Sequence, residues 1–226
     1  MPLHAPSSHD SAAARPARAM CATCLRPQAT CICRWIAPLA NVVELLILQH
    51  PLEMANAKNS ARLLHLSLAR SRIEVGEAFD AGQLGAMLAD GRRTVLLYPD
   101  TPADAGLGVA VPPPLDAEWL KSPEQLRLVV LDATWRKSRK MLYLNPLLQQ
   151  LPRLPLRDTP ASHYLIRKAH LPDQLSTLEA STYALAQLEG DESRYQPLIA
   201  AFDGFVAQQA SYAPVRAGSG NLKPTA

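Results

Sequence analysis

Three short, mostly apolar runs stand out in the pattern of hydrophobic and polar positions. They cover residues 42–49, 94–99 and 126–132, and each ends at a polar or proline-bearing turn. Continuous apolar runs of this length are typical of strands that are buried on both faces of a parallel sheet. Shorter strands are predicted at residues 71–75, around 154–157 and at 163–167.

Segments with helical spacing of apolar residues separate these strands. The predicted helices cover residues 56–71 with Asn56 as N-cap, 81–90, 134–150 with a break at Asn145-Pro146, 176–189, and 195–211. Ser176 and Glu179 form a capping-box pattern at the start of the fourth helix. Strands that alternate with helices predict an α/β fold, with a mostly parallel sheet and flanking helices.

The carboxyl ends of the strands are where such sheets bind ligands. Three strand ends carry candidate chemistry, namely Gln49-His50-Pro51, Tyr98-Pro99-Asp100 and Asp132-Ala133-Thr134. Asp132 directly follows four apolar residues, 128–131. Its carboxylate is interpreted either as a functional group or as an N-cap for the next helix.

Length and composition fit one globular domain with small additions. The chain has 226 residues, of which 48% are hydrophobic, and this excludes wholesale disorder. We expect disordered tails at 1–20 and 213–226, a cysteine segment at 21–37 and an α/β domain at 38–212. No apolar run is long enough to cross a membrane, and residues 1–20 lack the apolar core of a secretory signal. We therefore expect a cytoplasmic protein.

Four cysteines lie within thirteen positions, with the spacing Cys21-x2-Cys24-x6-Cys31-x-Cys33. In a reducing compartment such a cluster favours a metal over disulfides. Four thiolates suit a tetrahedral zinc, and an all-cysteine site leaves no open coordination position, so its role would be structural. An iron–sulfur cluster and four unrelated buried thiols are the alternatives. Structural zinc is favoured.

Basic residues concentrate in one segment. Residues 134–168 hold eight lysines and arginines against one acid, Asp158, whereas the whole chain carries a net charge of only +3. A one-sign patch beside a strand-end site predicts a polyanionic partner, with RNA ahead of a small phosphate. Trp135 and Tyr164 are candidates for stacking on a base, or are core residues. The RNA-binding candidates are Arg136, Lys137, Lys140, Arg167 and Lys168.

Seven motifs in the chain resemble those of the DTW-domain proteins, in the family's order and over residues 21–205. They are Cys21-Ala-Thr-Cys24-Leu-Arg26-Pro27, Cys31-Ile-Cys33, Leu48-Gln49-His50-Pro51-x-Glu53, Leu131-Asp132-Ala133-Thr134-Trp135, Met141…Asn145-Pro146…Leu151-Pro152-Arg153, Tyr164-x-x-Arg167-Lys168 and Leu175-Ser176-Thr177-Leu178-Glu179-Ala180. Together they are highly specific, although none would suffice alone.

The resemblance implies a tRNA-uridine aminocarboxypropyltransferase. Such enzymes transfer the 3-amino-3-carboxypropyl group of S-adenosylmethionine to N3 of a uridine and release methylthioadenosine. A uridine of the variable loop is the expected target, since bacterial members act there and eukaryotic members act on the D-loop. The implied fold is related to the SPOUT methyltransferases, with a deep trefoil knot, which is a rare exception among folds.

The resemblance also suggests roles for individual residues. Uridine N3 carries a proton at neutral pH, and Asp132 is the predicted base, with Thr134 and Trp135 as further catalytic candidates. The candidates for binding the donor are Pro99, Asp132, Thr134, Ser176, Thr177 and Glu179, although Glu179 is equally well interpreted as a capping residue. A SPOUT-like RNA methyltransferase and a non-catalytic RNA-binding protein are the alternative functions. The sequence favours no particular oligomeric state.

Overall fold

The computed structural model describes residues 18–99, 111–162 and 175–212. Within these ranges the strands are β1 Glu44–Gln49, β2 Ser71–Val75, β3 Arg93–Leu97, β4 Leu126–Asp132 and β5 Arg153–Leu154. The α-helices are α1 Ala61–Ser67, α2 Ala81–Leu88, α3 Trp135–Leu144, α4 Pro146–Gln149, α5 Thr177–Glu189 and α6 Glu192–Ser211. Short 3-10 helices cover Gln28–Thr30, Cys33–Trp35, Pro51–Glu53, Ala117–Lys121 and Pro123–Gln125.

The strands form one parallel sheet in the order β2-β1-β4-β3-β5, which confirms the predicted α/β class. All carboxyl ends therefore lie at the same edge. The chain leaves β1 toward β2 and leaves β4 toward β5, in the opposite direction, so the winding reverses between the neighbouring strands β1 and β4. In parallel sheets ligands bind at such a reversal point. Gln49 and Asp132 are paired in register there.

Helices cover both faces of the sheet because its central strands are apolar on both sides. In β1, Leu45 and Ile47 belong to a core that includes residues of α1, α5 and α6. Leu46 and Leu48 point the other way, into a second core with residues of α2, α3 and α4. The continuous apolar runs of the sequence are thus explained by burial on two faces.

Most predicted elements are confirmed, but the helix expected at 56–71 is wrong at both ends, since α1 covers only Ala61–Ser67. Residues 56–60 form an irregular turn and α1 begins only at Ala61. The side-chain oxygen of Asn56 accepts from the backbone N–H of Lys58, and that of Asn59 accepts from the N–H of Ala61. Such local bonds compete with helix formation. The strand expected at 154–157 is only two residues long, since Pro155 follows and cannot donate to the sheet.

The cysteine segment shares the core of the α/β body. Cys24 and Ile32 are buried in the same apolar cluster as α5 and α6. Trp35 packs so closely on Gly204 of α6 that a Cβ there would lie 2.1 Å from its ring. Both Arg34 and Trp35 donate to the side-chain oxygen of Gln208.

The expected strand at 163–167, the expected tail at 213–226 and most of the expected tail at 1–20 lie outside the described residues. The domain boundaries and the trefoil knot stay predictions. Among the described helices, none combines the length and the apolar character needed to cross a bilayer.

Candidate functional site

A cavity of about 680 Å³ opens at the carboxyl ends of β3, β4 and β5. Five residues that the sequence singled out for the site, Pro99, Thr134, Trp135, Ser176 and Thr177, line it. They come from the β3 end, the turn between β4 and α3, and the start of α5, which the parallel sheet brings to one edge. The other lining residues are Leu97, Tyr98, Val130, Leu131, Ala133, Ser138, Leu154, Pro155, Leu156, Thr159, Leu175 and Ala180.

An aromatic stack forms part of the wall of this cavity. The rings of Tyr98 and Trp135 lie nearly parallel, with centroids 5.2 Å apart. The guanidinium of Arg153 lies 5.1 Å from the Tyr98 ring, and it also donates to the carbonyl of Pro99. Tyr98 is buried, whereas half of Trp135 is exposed. The Trp135 ring is therefore held rigidly and still offers surface to a planar ligand.

Asp132 lies at the end of β4, and only 3% of it is exposed. Its Oδ2 accepts hydrogen bonds from Gln49 Nε2 at 2.8 Å and Asn59 Nδ2 at 2.6 Å, and its Oδ1 accepts from Thr177 Oγ1 at 2.7 Å. The N-cap position of α3 is Thr134, so the interpretation of Asp132 as a helix cap is wrong. A carboxylate has about four lone-pair sites, and these donors leave roughly one for a further partner.

A second, smaller cavity of about 80 Å³ is lined by Asp132. All but one of its lining residues have polar or charged side chains; the lining residues are Glu53, Asn56, Lys58, Asn59, Ser60, Asp132, Ala133, Ser176 and Thr177. Ala133, Ser176 and Thr177 line both cavities. The sequence had singled out Asp132, Ser176 and Thr177 but not the residues between Glu53 and Ser60, although Glu53 stands in one of the quoted motifs. Asn59 gave no such indication, because it fell inside a predicted helix.

Glu179 does not line either cavity. Its side chain is fully buried and accepts from the backbone N–H of Ser176, whose hydroxyl accepts in turn from the N–H of Glu179. The hydroxyl of Ser162 also donates to both carboxylate oxygens. The predicted capping box is confirmed, and it fixes the backbone of Ser176 at the start of α5. A direct contact of Glu179 with the donor stays a prediction.

The four cysteines converge, with all sulfur atoms within 4.8 Å of one another. The Sγ atoms of Cys21 and Cys33 are 3.6 Å apart, and those of Cys24 and Cys31 are 3.7 Å apart. Zinc bonded to four sulfurs at about 2.3 Å requires sulfur–sulfur edges of about 3.8 Å, whereas a disulfide bond is about 2.05 Å long. The cluster can therefore hold a tetrahedral metal ion.

Ionisation of these thiols is uneven. Backbone N–H groups of Cys24 and Thr23 lower the pKa of Cys21 to about 6. Burial and the neighbouring thiols raise the pKa of Cys33 to about 12. Because metals bind thiolates, occupying the site requires protons to leave.

Arg26 connects the cysteine segment to the Asp132 site. Its guanidinium donates to the backbone carbonyls of Ala57 at 2.6 Å and Asn59 at 2.7 Å. Asn59 in turn donates to Asp132. These hydrogen bonds hold the turn at residues 56–60, which lines the small cavity, against the loop between Cys24 and Cys31.

Two basic residues of α3 pair with acids from other segments, so the unpaired positive charge is smaller than the sequence suggests. Lys137 pairs with Glu53 at 3.1 Å and Lys140 with Glu77 at 3.0 Å. Lys140 and His50 in turn hold the pKa of Glu77 below its ordinary value. Arg136 is exposed and has no ion pair with another described residue. The remaining RNA-binding candidates, Arg167 and Lys168, lie outside the described residues, as does Tyr164.

Comparison with known proteins gives a family and named relatives. The family model of the DTW domain matches residues 18–210. The chain is 29% identical to tRNA-uridine aminocarboxypropyltransferase 2 of Mus musculus, over 80% of this chain and 60% of the relative. It is 31% identical to the protein of the same name from Drosophila melanogaster, over 80% of this chain and 71% of the relative. A relative from Arabidopsis thaliana, tRNA-uridine aminocarboxypropyltransferase A, is 28% identical over 55% of this chain and 50% of its own length.

The chain thus spans about 60% of the length of the mouse relative. No solved structure matches it significantly. The family match, in contrast, covers the cysteine cluster, the whole sheet and both cavities. The chain belongs to the DTW-domain family.

Proposed function

We propose that the protein transfers the 3-amino-3-carboxypropyl group of S-adenosylmethionine to N3 of a uridine in tRNA. The observation that carries the proposal is the convergence of the family's motifs on one edge of the sheet. Asp132, Thr134, Trp135, Ser176 and Thr177 stand in two separate motifs, and all of them line one or both of the adjoining cavities. The names of the relatives support the transfer of an aminocarboxypropyl group to a tRNA uridine.

The large cavity fits the nucleoside part of such a donor. Its volume of about 680 Å³ lies in the range of small-molecule sites. The Tyr98–Trp135 stack offers an aromatic surface to a purine, and Thr134, Ser176 and Thr177 offer hydroxyl groups for the polar atoms of a ribose. These residues would bind and orient the donor. When bound, the donor supplies an activated γ-carbon and a thioether leaving group.

Asp132 has the position and the free acceptor site for the proton of uridine N3. In the proposed step, the N3–H proton passes to the Asp132 carboxylate and the N3 lone pair forms a bond to the γ-carbon. The carbon–sulfur bond breaks and its electron pair stays on sulfur. The products are the modified uridine and neutral methylthioadenosine, and the proton is then released to solvent. Gln49, Asn59 and Thr177 keep the carboxylate oriented throughout.

The rest of the chain supports tRNA binding and stability in this proposal. Arg136, Lys137 and Lys140 on α3, next to the cavity, together with Arg167 and Lys168, would contact the tRNA backbone. A structural zinc at the four cysteines would hold the N-terminal segment against α6 and the turn at residues 56–60. We propose the variable loop as the location of the modified uridine.

Nucleoside analysis by mass spectrometry tests the proposal. Unmodified tRNA is incubated with the purified protein and S-adenosylmethionine, then digested and compared with a reaction without protein. The proposal predicts a uridine that has gained the aminocarboxypropyl group, with methylthioadenosine released in equal amount. A gain of a methyl group would instead identify a methyltransferase, and tRNA that binds but stays unmodified would identify a non-catalytic binder.

A further inference from the structure

We propose that the small cavity beside Asp132 binds the zwitterionic amino-acid end of the donor, with Glu53 and Lys58 as the recognising charges; this inference rests on the proposed function. The cavity adjoins the large one, because Ala133, Ser176 and Thr177 line both. A ligand that extends from one cavity to the other passes these three residues.

The two cavities differ sharply in charge. None of the described residues that line the large cavity is charged. The small cavity contains two carboxylates and one ammonium group, those of Glu53, Asp132 and Lys58. An α-amino acid carries one positive and one negative charge at neutral pH, and leaving either charge without a partner in a closed site is costly. Such a group is therefore stabilised in the small cavity and not in the large one.

The carboxylate of Glu53 is fixed in place rather than free to adapt. Only 6% of the residue is exposed. Its Oε1 pairs with Lys137 Nζ at 3.1 Å, and its Oε2 accepts from Asn56 Nδ2 at 2.9 Å. A carboxylate held in this way is preorganised to accept from the ammonium group of a ligand.

Lys58 and the start of α5 provide the complementary positive side. Lys58 lies on the exposed rim of the cavity. Helix α5 begins at Thr177, and the positive end of its dipole is directed toward the same space. A ligand carboxylate between them would meet positive potential from both. The volume of about 80 Å³ admits only a small group, which excludes the nucleoside from this cavity.

This division of the donor has a chemical consequence. When the amino-acid end is anchored in the small cavity and the nucleoside in the large one, the carbon chain between them passes the Asp132 carboxylate. The site would then present the γ-carbon rather than the methyl group to a nucleophile near Asp132. Glu53 and Lys58 would thus be specificity-determining residues for the group that is transferred.

Calorimetry with three ligands tests the inference without measuring turnover. S-adenosylmethionine and S-adenosylhomocysteine carry the amino-acid end, whereas methylthioadenosine lacks it. Lys58→Met and Glu53→Gln should each weaken the first two ligands by about tenfold or more, the loss expected for a charge-assisted hydrogen bond. Methylthioadenosine should bind each variant as it binds the wild type. Lys121→Met, at an exposed position that lines neither cavity, is the matched control and should change nothing.

Each outcome decides the question. Equal weakening of all three ligands would overturn the inference, because Glu53 and Lys58 would then support the nucleoside cavity. Unchanged binding of S-adenosylmethionine by both variants would also overturn it, while leaving the proposed function intact. If the wild type binds neither S-adenosylmethionine nor methylthioadenosine, the proposed function fails together with the inference. Loss for S-adenosylmethionine but not for S-adenosylhomocysteine would assign the two side chains to the sulfonium, which contradicts the subsite.

Discussion

Replacing Asp132 by asparagine separates its chemical role from its structural one. The substitution keeps the shape of the side chain and removes its charge. In one orientation of the new amide, its oxygen faces the donors of Gln49 and Asn59, and its NH₂ group faces the Thr177 hydroxyl, which can accept as well as donate. The hydrogen-bond network around position 132 can therefore persist.

The expected cost to stability follows from these three hydrogen bonds. Bonds to a charged group are roughly twice as strong as neutral ones, so about 1 kcal/mol is lost for each. Removing a buried charge offsets part of this loss. We expect Asp132→Asn to lower the free energy of unfolding by at most about 3 kcal/mol. Asp132→Ala leaves three buried donors without an acceptor, at about 1–3 kcal/mol each, and should be clearly less stable.

The rate of transfer should fall strongly even where stability is largely kept. If Asp132 is the base, Asp132→Asn should lower the rate of transfer by about 10²–10⁴-fold, which is the usual contribution of general base catalysis. The affinity for methylthioadenosine should stay unchanged, because Asp132 does not line the large cavity. Single-turnover rates on tRNA, calorimetry and denaturant unfolding measure the three quantities. Transfer at the wild-type rate by a folded Asp132→Asn protein would refute the assignment of the base.

Three further predictions follow from the surroundings of the site. The cysteine cluster should bind about one zinc per chain, and its affinity should fall as the pH is lowered, because the thiols must lose protons. Metal analysis and chelator competition measure the two quantities. Iron in place of zinc would favour an iron–sulfur cluster. Arg26→Ala should retain the metal but lower turnover, and it should lower the free energy of unfolding by about 1–3 kcal/mol, since two backbone carbonyls lose their donor. Unchanged turnover would contradict a role of Arg26 in positioning the turn at residues 56–60. Arg136→Glu should weaken tRNA binding more than Lys140→Glu does, because Glu77 already pairs with Lys140. It should also lower the slope of log affinity against log salt by about one unit. Equal effects of the two substitutions, or no effect, would contradict this.

The sequence predicted the fold well where local pattern and burial agree. Strand β4 has the predicted bounds because an apolar run buried on both faces ends at a charged residue. The capping box of α5 was likewise predictable from Ser176 and Glu179 alone. The start of α1 was not, because side-chain bonds of Asn56 and Asn59 to the backbone compete with the helix.

The site was predictable only in part, for reasons of long-range contact. Asp132 was identifiable from its position at a strand end. Its partner Asn59 is 73 positions away, and no spacing rule connects the two. The basic surface was overestimated for the same reason, since the acids that pair with Lys137 and Lys140 come from the segments after β1 and β2. Charge counts along a segment do not include partners that the fold supplies.

Isotope tracing tests the central claim most directly. Two samples of S-adenosylmethionine are prepared, one labelled in the methyl group and one in the carbons of the amino-acid side chain, and each is incubated with unmodified tRNA and the wild-type protein. The account predicts that a tRNA uridine acquires the side-chain label and none of the methyl label, while methylthioadenosine retains the methyl label. Methyl label in the tRNA, or no label from either donor, would contradict it.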